Sequence, residues 1–390
     1  MKPNIIFNSI QISEFSYAYP YINNYIVNNG DFVFSRNGDT REVIDFKTEI
    51  TNPYRRCVGN NKRDINIFFL MAEALWIWAG RKDVSFLTKF NSRMVDFSDD
   101  KIYFHAPYGF RLRHHGLSSW DNTKRFKKDS NKHDLEFFEG TDQIKEALEM
   151  LSNDSESRRV VLQIWDANLD LNHKTKDLPC NDLVMLKIRN GKLRTTIANR
   201  SNDLHWGLPT NVFQFSFITE IMSQILGVEL GTQTHNSQSL HFYTDNPIAM
   251  NMNDEFVIQD GYFRDIYDDF KELRMNFNFT SEGTEQRLRE VDFWINKIIE
   301  SLETGYIWDT KFSDDLKKFD EYLWRMYHLL HIYIEYKNTG TSDKSKVHAI
   351  NKINEFSLGN IQYDFEALAI NFFTSKLKDK SLLENYCFNF

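Results

Sequence analysis

Cysteine is scarce in this chain: Cys57, Cys180 and Cys387 are the only three in 390 residues, an odd number set far apart. A disulfide framework is therefore not expected, and a reducing, cytoplasmic setting fits best. No apolar run approaches the ~20 residues that a bilayer span requires, so no membrane segment is expected. The opening "MKPNIIFNSI" is too short and too polar to read as a secretory leader. Internal repeats and low-complexity tracts are missing as well. Positive charge is not in excess, because 47 Lys and Arg against 55 Asp and Glu leave a formal charge of -8. That balance argues against a dedicated nucleic-acid binder, while leaving room for a local basic pocket around a small anion. His105, His114 and His115 lie near one another, but no Cys or carboxylate spacing joins them, so no metal is expected.

What the chain does contain is apolar and aromatic mass, at 41% and 15%, enough for a substantial core in one large or two ordinary domains. "DFVFS" and "EVIDFKTEI" read as strands within a mixed first 60 residues. "DINIFFLMAEALWIWAG" (Asp64 to Gly80) reads as a buried helix with an Asp cap and a Gly stop, and it carries Glu73 inside. A polar, loop-like region spans roughly 91 to 137. "GTDQIKEALEMLSND" predicts an amphipathic helix with Ile144, Ala147, Leu148 and Leu151 on one face. "RRVVLQIW" and "SLHFYT" read as strands, and "DLVMLKIRNGKLRTTIAN" as a hairpin turning at Asn190-Gly191. Between them "NVFQFSFITEIMSQILG" reads as a helix. From about 262 the chain is mostly helical, with a polar linker at "KNTGTSDKSK"; stripes such as "FDEYLWRMYHLLHIYIEY" read as helix packing. The class is α+β, divided into 1–261 and a helical 262–390.

The chemistry gathers around "DLPCNDL", which sets Cys180 directly after a proline at the mouth of an apolar strand. A lone cysteine usually packs as a small hydrophobe, and it becomes a nucleophile where cations lower its pKa. Arg200 returns to the same end of the sheet if the hairpin forms. Arg158 and Arg159 are a guanidinium pair suited to a phosphate, although adjacent arginines at a strand start are usually just solvated. Glu73 in an apolar helix is a costly acid unless it serves chemistry. Asn211 can accept from a ring N–H and donate to a ring carbonyl, which matches uracil.

Taken in order and spacing, "ESRRVVLQIW", "LPCNDL", "RSNDLHWGLPTN" and "SLHFY" resemble the thymidylate synthase superfamily. "MAEALWIWAGRKD" and "APYGFRLR" are similar to two further segments of that family, so the resemblance covers about residues 30 to 250. It implies a three-layer fold around a mixed or antiparallel sheet; the helical extension has no counterpart in it. It also implies one-carbon transfer from 5,10-methylenetetrahydrofolate to dUMP, without a metal, in a homodimer. On this resemblance Cys180 adds to C6 of the pyrimidine, Glu73 orders water and moves protons, and Tyr108 assists proton removal at C5. Arg36, Arg200 and Ser201 hold the 5′-phosphate, and Arg158 and Arg159 reach the phosphate of the partner subunit. Asn211 reads the base, His241 and Tyr243 the sugar, while Asp203 and Gly207 line the folate pocket.

The chain also departs from the methylating members. Asn181 replaces a histidine after the cysteine, Asn199 replaces a glutamine among the catalytic positions, and "SQS" (Ser237 to Ser239) replaces "GGD". Two tryptophans give way to Val95 and Ser98, leaving Phe97 as the candidate folate contact. "RSND" and "SLHFY" resemble the phage pyrimidine hydroxymethylases, in which water rather than hydride completes the reaction. The favoured expectation is a dUMP hydroxymethylase. Alternatives are thymidylate synthase proper, a dCMP or CMP hydroxymethylase, and a nucleotide-binding relative without catalysis.

Overall fold

An eight-stranded mixed sheet organises the computed structural model. The structure describes residues 8–35, 38–59, 63, 65–117, 140–246, 269–305, 310–358 and 360–383, together with the backbone of 125–128 and 135–138. Arg36, Asp64, Cys387 and the expected boundary at 261/262 lie outside the described residues.

The strands are β1 (Ser9–Ile12), β2 (Asp31–Ser35), β3 (Gly38–Ile50), β4 (Arg125–Lys128), β5 (Leu135–Phe138), β6 (Val161–Gln163), β7 (Asn181–Arg189), β8 (Lys192–Asn199), β9 (Asn202–Asp203) and β10 (Glu229–Tyr243). The sheet runs β1-β3-β10-β8-β7-β6, with β2 on β3 and β9 on β10; β4 and β5 pair separately. Its long members are β3 and β10, which run antiparallel from Gln233↔Ile50 to Tyr243↔Thr40. β7 and β8 form the expected hairpin, and both turn residues are left-handed (φ 53° at Asn190 and 71° at Gly191), as a tight two-residue turn requires. "RRVVLQIW" supplies only the short β6, so Arg158 and Arg159 precede the strand instead of opening it.

Helices α1 (Phe15–Asn29), α2 (Ile67–Trp78), α3 (Val84–Thr88), α4 (Tyr108–Arg113), α5 (Gln143–Asn153), α6 (Ala167–Asp170) and α7 (Gly207–Leu226) accompany the sheet. The last five are α8 (Thr284–Thr304), α9 (Thr310–Phe319), α10 (Glu321–Thr339), α11 (Asp343–Phe356) and α12 (Asp364–Ser375). Three expectations need correction. The cap of α2 is Asn66, whose side chain accepts from the Phe69 N–H at 3.2 Å, and not Asp64. The loop-like region beyond residue 91 contains α4, too short for apolar periodicity to reveal. "KNTGTSDKSK" is no linker: α10 runs to Thr339, and Ser342 already caps α11.

α2 is apolar on nearly every side because it is enclosed. α7 lies beside it, and Phe68 stacks on Tyr333 of α10 with ring centroids 4.6 Å apart. The Tyr333 hydroxyl then donates to the Phe90 carbonyl at 3.0 Å. One hydrophobic cluster therefore runs without a break from α2, α5 and α7 through α8 to α12. A second and smaller cluster fills the space between α1 and β3. Where the C-terminal segment meets α7, Arg56 and Glu220 form a fully buried ion pair, and the Met275 N–H donates to the second Glu220 oxygen at 2.7 Å. Those bonds offset the desolvation of the two charges.

Candidate active site

Cys180 sits at the entry to β7, held from both sides. The Arg200 N–H donates to the Cys180 carbonyl at 3.1 Å, extending the β7–β8 hairpin by one more link. Arg200 then folds its side chain back. Nε donates to the Pro179 carbonyl at 2.8 Å, Nη2 to the Leu178 carbonyl at 3.3 Å, and Nη2 lies 3.8 Å from Cys180 Sγ. From the other side, the Cys180 N–H donates to the Tyr108 hydroxyl at 3.3 Å. The Ala106 N–H donates to Asp177 Oδ2 at 2.8 Å, which ties the lead-in of α4 to the cysteine loop. "DLPC" is thus a clamp: Asp177 and Cys180 grip neighbouring points of one segment.

Burial pushes the Cys180 thiol above its ordinary value, and the Arg200 guanidinium only partly pulls it back. The ligand-free protein should therefore hold Cys180 as a thiol at neutral pH. The pH dependence of its alkylation by iodoacetamide should show a midpoint above the ordinary ~8.5, moving higher still in Arg200→Ala. A midpoint at or below pH 7 would show that Arg200 outweighs burial. Burial also raises the Tyr108 hydroxyl far above the usual tyrosine value.

Glu73 projects from α2 toward α7. Gln214 Nε2 donates to Glu73 Oε2 at 2.8 Å and to the Leu70 carbonyl at 3.2 Å. Burial raises the Glu73 carboxyl to about 7, against the opposing pull of Gln214. Gln214 lies one turn beyond Asn211 on α7, so a single helix carries the partner of the acid and the candidate reader of the base.

Asn211 belongs to a line of buried amides. Asn199 Nδ2 donates to Asn181 Oδ1, Asn181 Nδ2 to Asn211 Oδ1 at 3.0 Å, Asn211 Nδ2 to Asn202 Oδ1 at 3.3 Å, and Asn202 Nδ2 to Ser237 Oγ at 3.1 Å. Strand register builds the line, since Asn181 pairs with Asn199 across the hairpin and Ser237 faces Asn199 from β10. Gly207 opens α7 beneath Asn202, whose Oδ1 would lie 3.1 Å from any Cβ there. A recess of about 390 Å³ opens beside Arg200, lined by Lys47, Asp182, Asn199 and Ser237 among others.

Asp203 shapes the turn into α7: Oδ1 accepts the N–H groups of His205 and Trp206 at 2.6 and 2.7 Å. Its Oδ2 is buried and has no partner among the described residues. Burial raises its carboxyl, opposed by those N–H groups and by His241, its register partner on β10. His241 Nδ1 lies 3.2 Å from Ser239 Oγ, and the His241 ring meets Tyr243 edge-on. Two members of the "SQS" segment therefore hydrogen-bond to site residues.

Direct bonds thus join Cys180 to Tyr108 and Arg200, and Asn181 to Asn199 and Asn211, with Ser201 half-buried between Arg200 and Asn202 in sequence. Arg158 and Arg159 are exposed, with no side-chain partner among the described residues. Phe97 is 49% exposed. The sequence reasoning missed Asp177, Gln214, Asn202 and Ser237. The one usable signal was Gln214, a buried amide one turn from Asn211 on the same helix.

Comparison with known proteins follows the same outline. The family profile described as thymidylate synthase matches residues 18–256. A deoxyuridylate hydroxymethyltransferase of Bacillus phage SP01 is 40% identical over 223 residues, which is 57% of this chain and 55% of that protein. One from Pseudomonas phage M6 is 36% identical over 217 residues, 54% of each chain. A third, from Delftia phage PhiW-14, is 27% identical over 300 residues, 73% of this chain and 75% of that protein. The chain spans just over half the length of the first two. With the profile extending over more than half of its residues, this chain belongs to the thymidylate synthase family.

Proposed function

We propose that the protein is a deoxyuridylate hydroxymethyltransferase, converting dUMP to 5-hydroxymethyl-dUMP with methylenetetrahydrofolate as co-substrate. The observation that carries this reading is Cys180, with its sulfur beside Arg200, its backbone N–H bonded to the Tyr108 hydroxyl, and its chain neighbour Asn181 bonded to Asn211. Methylenetetrahydrofolate supplies the one-carbon unit. The unpartnered Asp203 Oδ2 suits an N–H donor such as that of a pterin.

Cys180 adds to C6, and the displaced electron pair makes C5 nucleophilic. Glu73, with a carboxyl near 7, can give and take protons at the ring carbonyl through water. Tyr108 stands beside the cysteine loop to assist loss of the C5 proton. C5 bonds to the one-carbon unit, tetrahydrofolate departs and C5 loses its proton, leaving an exocyclic methylene; water adds to that carbon as Cys180 leaves and the C5–C6 double bond returns. Water access decides this branch. Val95 and Ser98 offer no aromatic wall there, and Ser98 Oγ is engaged within its own turn, donating to the Tyr103 carbonyl at 2.6 Å. Similarity to the phage hydroxymethyltransferases supports the same outcome.

Arg200 and Ser201 are proposed to hold the phosphate, together with Arg158 and Arg159 of the second subunit in a homodimer. His241 and Tyr243 are proposed to meet the sugar, and Gly207 and Phe97 the folate. A cytoplasmic location is proposed; among the described residues no helix is long and apolar enough to cross a membrane.

Incubating the protein with dUMP and methylenetetrahydrofolate, and reading nucleotide and folate products together, tests the reading. Hydroxymethyl-dUMP with tetrahydrofolate is expected. Formation of dTMP with dihydrofolate would instead make it a thymidylate synthase.

A further inference from the structure

We infer that Asn181 and Asn199 are specificity-determining positioning residues, which lock the side-chain amide of Asn211 in the orientation that accepts uracil and rejects cytosine. The inference rests on the proposed role of Asn211 as the reader of the base.

An asparagine amide has two lone pairs on its oxygen and two hydrogens on its nitrogen. The line of amides occupies one of each on Asn211, Oδ1 accepting from Asn181 and Nδ2 donating to Asn202. One acceptor site and one donor hydrogen remain uncommitted among the described residues. Uracil presents N3–H and the O4 carbonyl, whereas cytosine presents a bare N3 and an amino group. A half-turn of the Asn211 amide exchanges its oxygen and nitrogen, and so exchanges the base that it matches. Orientation, and not only residue identity, therefore decides specificity.

Orientation is a property of the whole line. Asn181 spends Oδ1 on Asn199, so it must offer Nδ2 to Asn211, which must answer with Oδ1. Ser237 at the far end can serve either polarity, because a hydroxyl both donates and accepts. The near end breaks the tie. Asn199 Oδ1 is buried and has no partner among the described residues. Reversing the line would turn Asn199 Nδ2 toward that same unpartnered place, and a buried amino group without acceptors is less tolerable than a buried carbonyl without donors. Asn181, Asn199 and Asn202 are each at most 2% exposed, so bulk water has little access to these amides. Two of the departures from the methylating members, at positions 181 and 199, are thus one device.

Aspartate accepts but does not donate. Asn199→Asp should therefore oblige Asn181 to donate toward it and reverse the amides beyond, without the substituted side chain being bonded to Asn211. Asn199→Leu removes the lock without imposing the opposite polarity. Dissociation constants for dUMP and dCMP, measured by calorimetry without folate, give the readout, with thermal unfolding as the check on folding. The wild type should prefer dUMP by at least tenfold. In Asn199→Asp that preference should fall at least tenfold, with dCMP binding tighter than to wild type; in Asn199→Leu it should fall several-fold. Should Asn199→Asp not fold, Asn181→Asp carries the same expectation. A preference that survives in a folded Asp variant, or equal weakening of both nucleotides, would overturn the lock alone. A wild type that does not prefer dUMP would overturn the proposed function, and the lock with it.

Discussion

Replacing Cys180 with alanine should abolish turnover, with a loss of about 10⁴-fold or more, while the protein continues to bind dUMP. The bond from sulfur to C6 turns C5 into a nucleophile, and no neighbour can replace it: Arg200 and Tyr108 touch the loop but are not nucleophiles at neutral pH. Binding draws on other groups, chiefly the guanidinium of Arg200 and the amide of Asn211. Removing the thiol should therefore leave the dissociation constant for dUMP nearly unchanged. Calorimetry beside a product assay measures the two quantities on the same sample. Retained turnover would dismiss the covalent route, and a wild-type protein that binds without turning over would be a nucleotide-binding module.

The second large effect couples activity to stability. Glu73→Gln should lower turnover by about 10²–10⁴-fold, the usual contribution of a positioned acid–base group, and should also stabilise the fold at alkaline pH. The sign follows from the folded carboxyl standing near 7, against about 4.3 in an unfolded chain. Below the unfolded value both states carry the proton, and the acid costs nothing extra. As the pH rises from about 4 to 7, the unfolded chain ionises while the buried group resists, so stability is lost over that window and levels off above it. Glutamine never ionises. At pH 8 the variant should exceed the wild type by roughly 3–4 kcal/mol, and at pH 4 the two should unfold together. Thermal unfolding at both values decides the matter. A stability difference that does not change with pH would mean that Glu73 is not held protonated by burial.

Much of this was legible in the sequence because strong local signals coincided with the tertiary outcome. The Asn190-Gly191 turn and the apolar faces of α5 and α7 are cases where pattern and packing agree. Helix α1 was hidden by Pro20 within it and by its many asparagines and aromatics, although Phe15, Ala18, Tyr19, Ile22 and Ile26 recur at helical spacing and are wholly buried. Only the end of β10 was visible. Its first part, through Gln233, Thr234, His235 and Ser237, is buried yet polar, so no apolar alternation marks it as a strand. The site shows the same division. Cys180, Arg200, Asn211 and Glu73 could be found as single residues, but the amide line depends on register across strands, which a linear string does not display.

The stack of Phe68, Phe90 and Tyr333 bears on how such a chain could change over generations. Glu73 rides on a helix whose rear face is completed by rings contributed more than 250 residues later. Without the helical extension, Phe68 and its neighbours would face water. A substitution at Tyr333 therefore bears on the helix that carries the acid, although it lies in a different part of the chain.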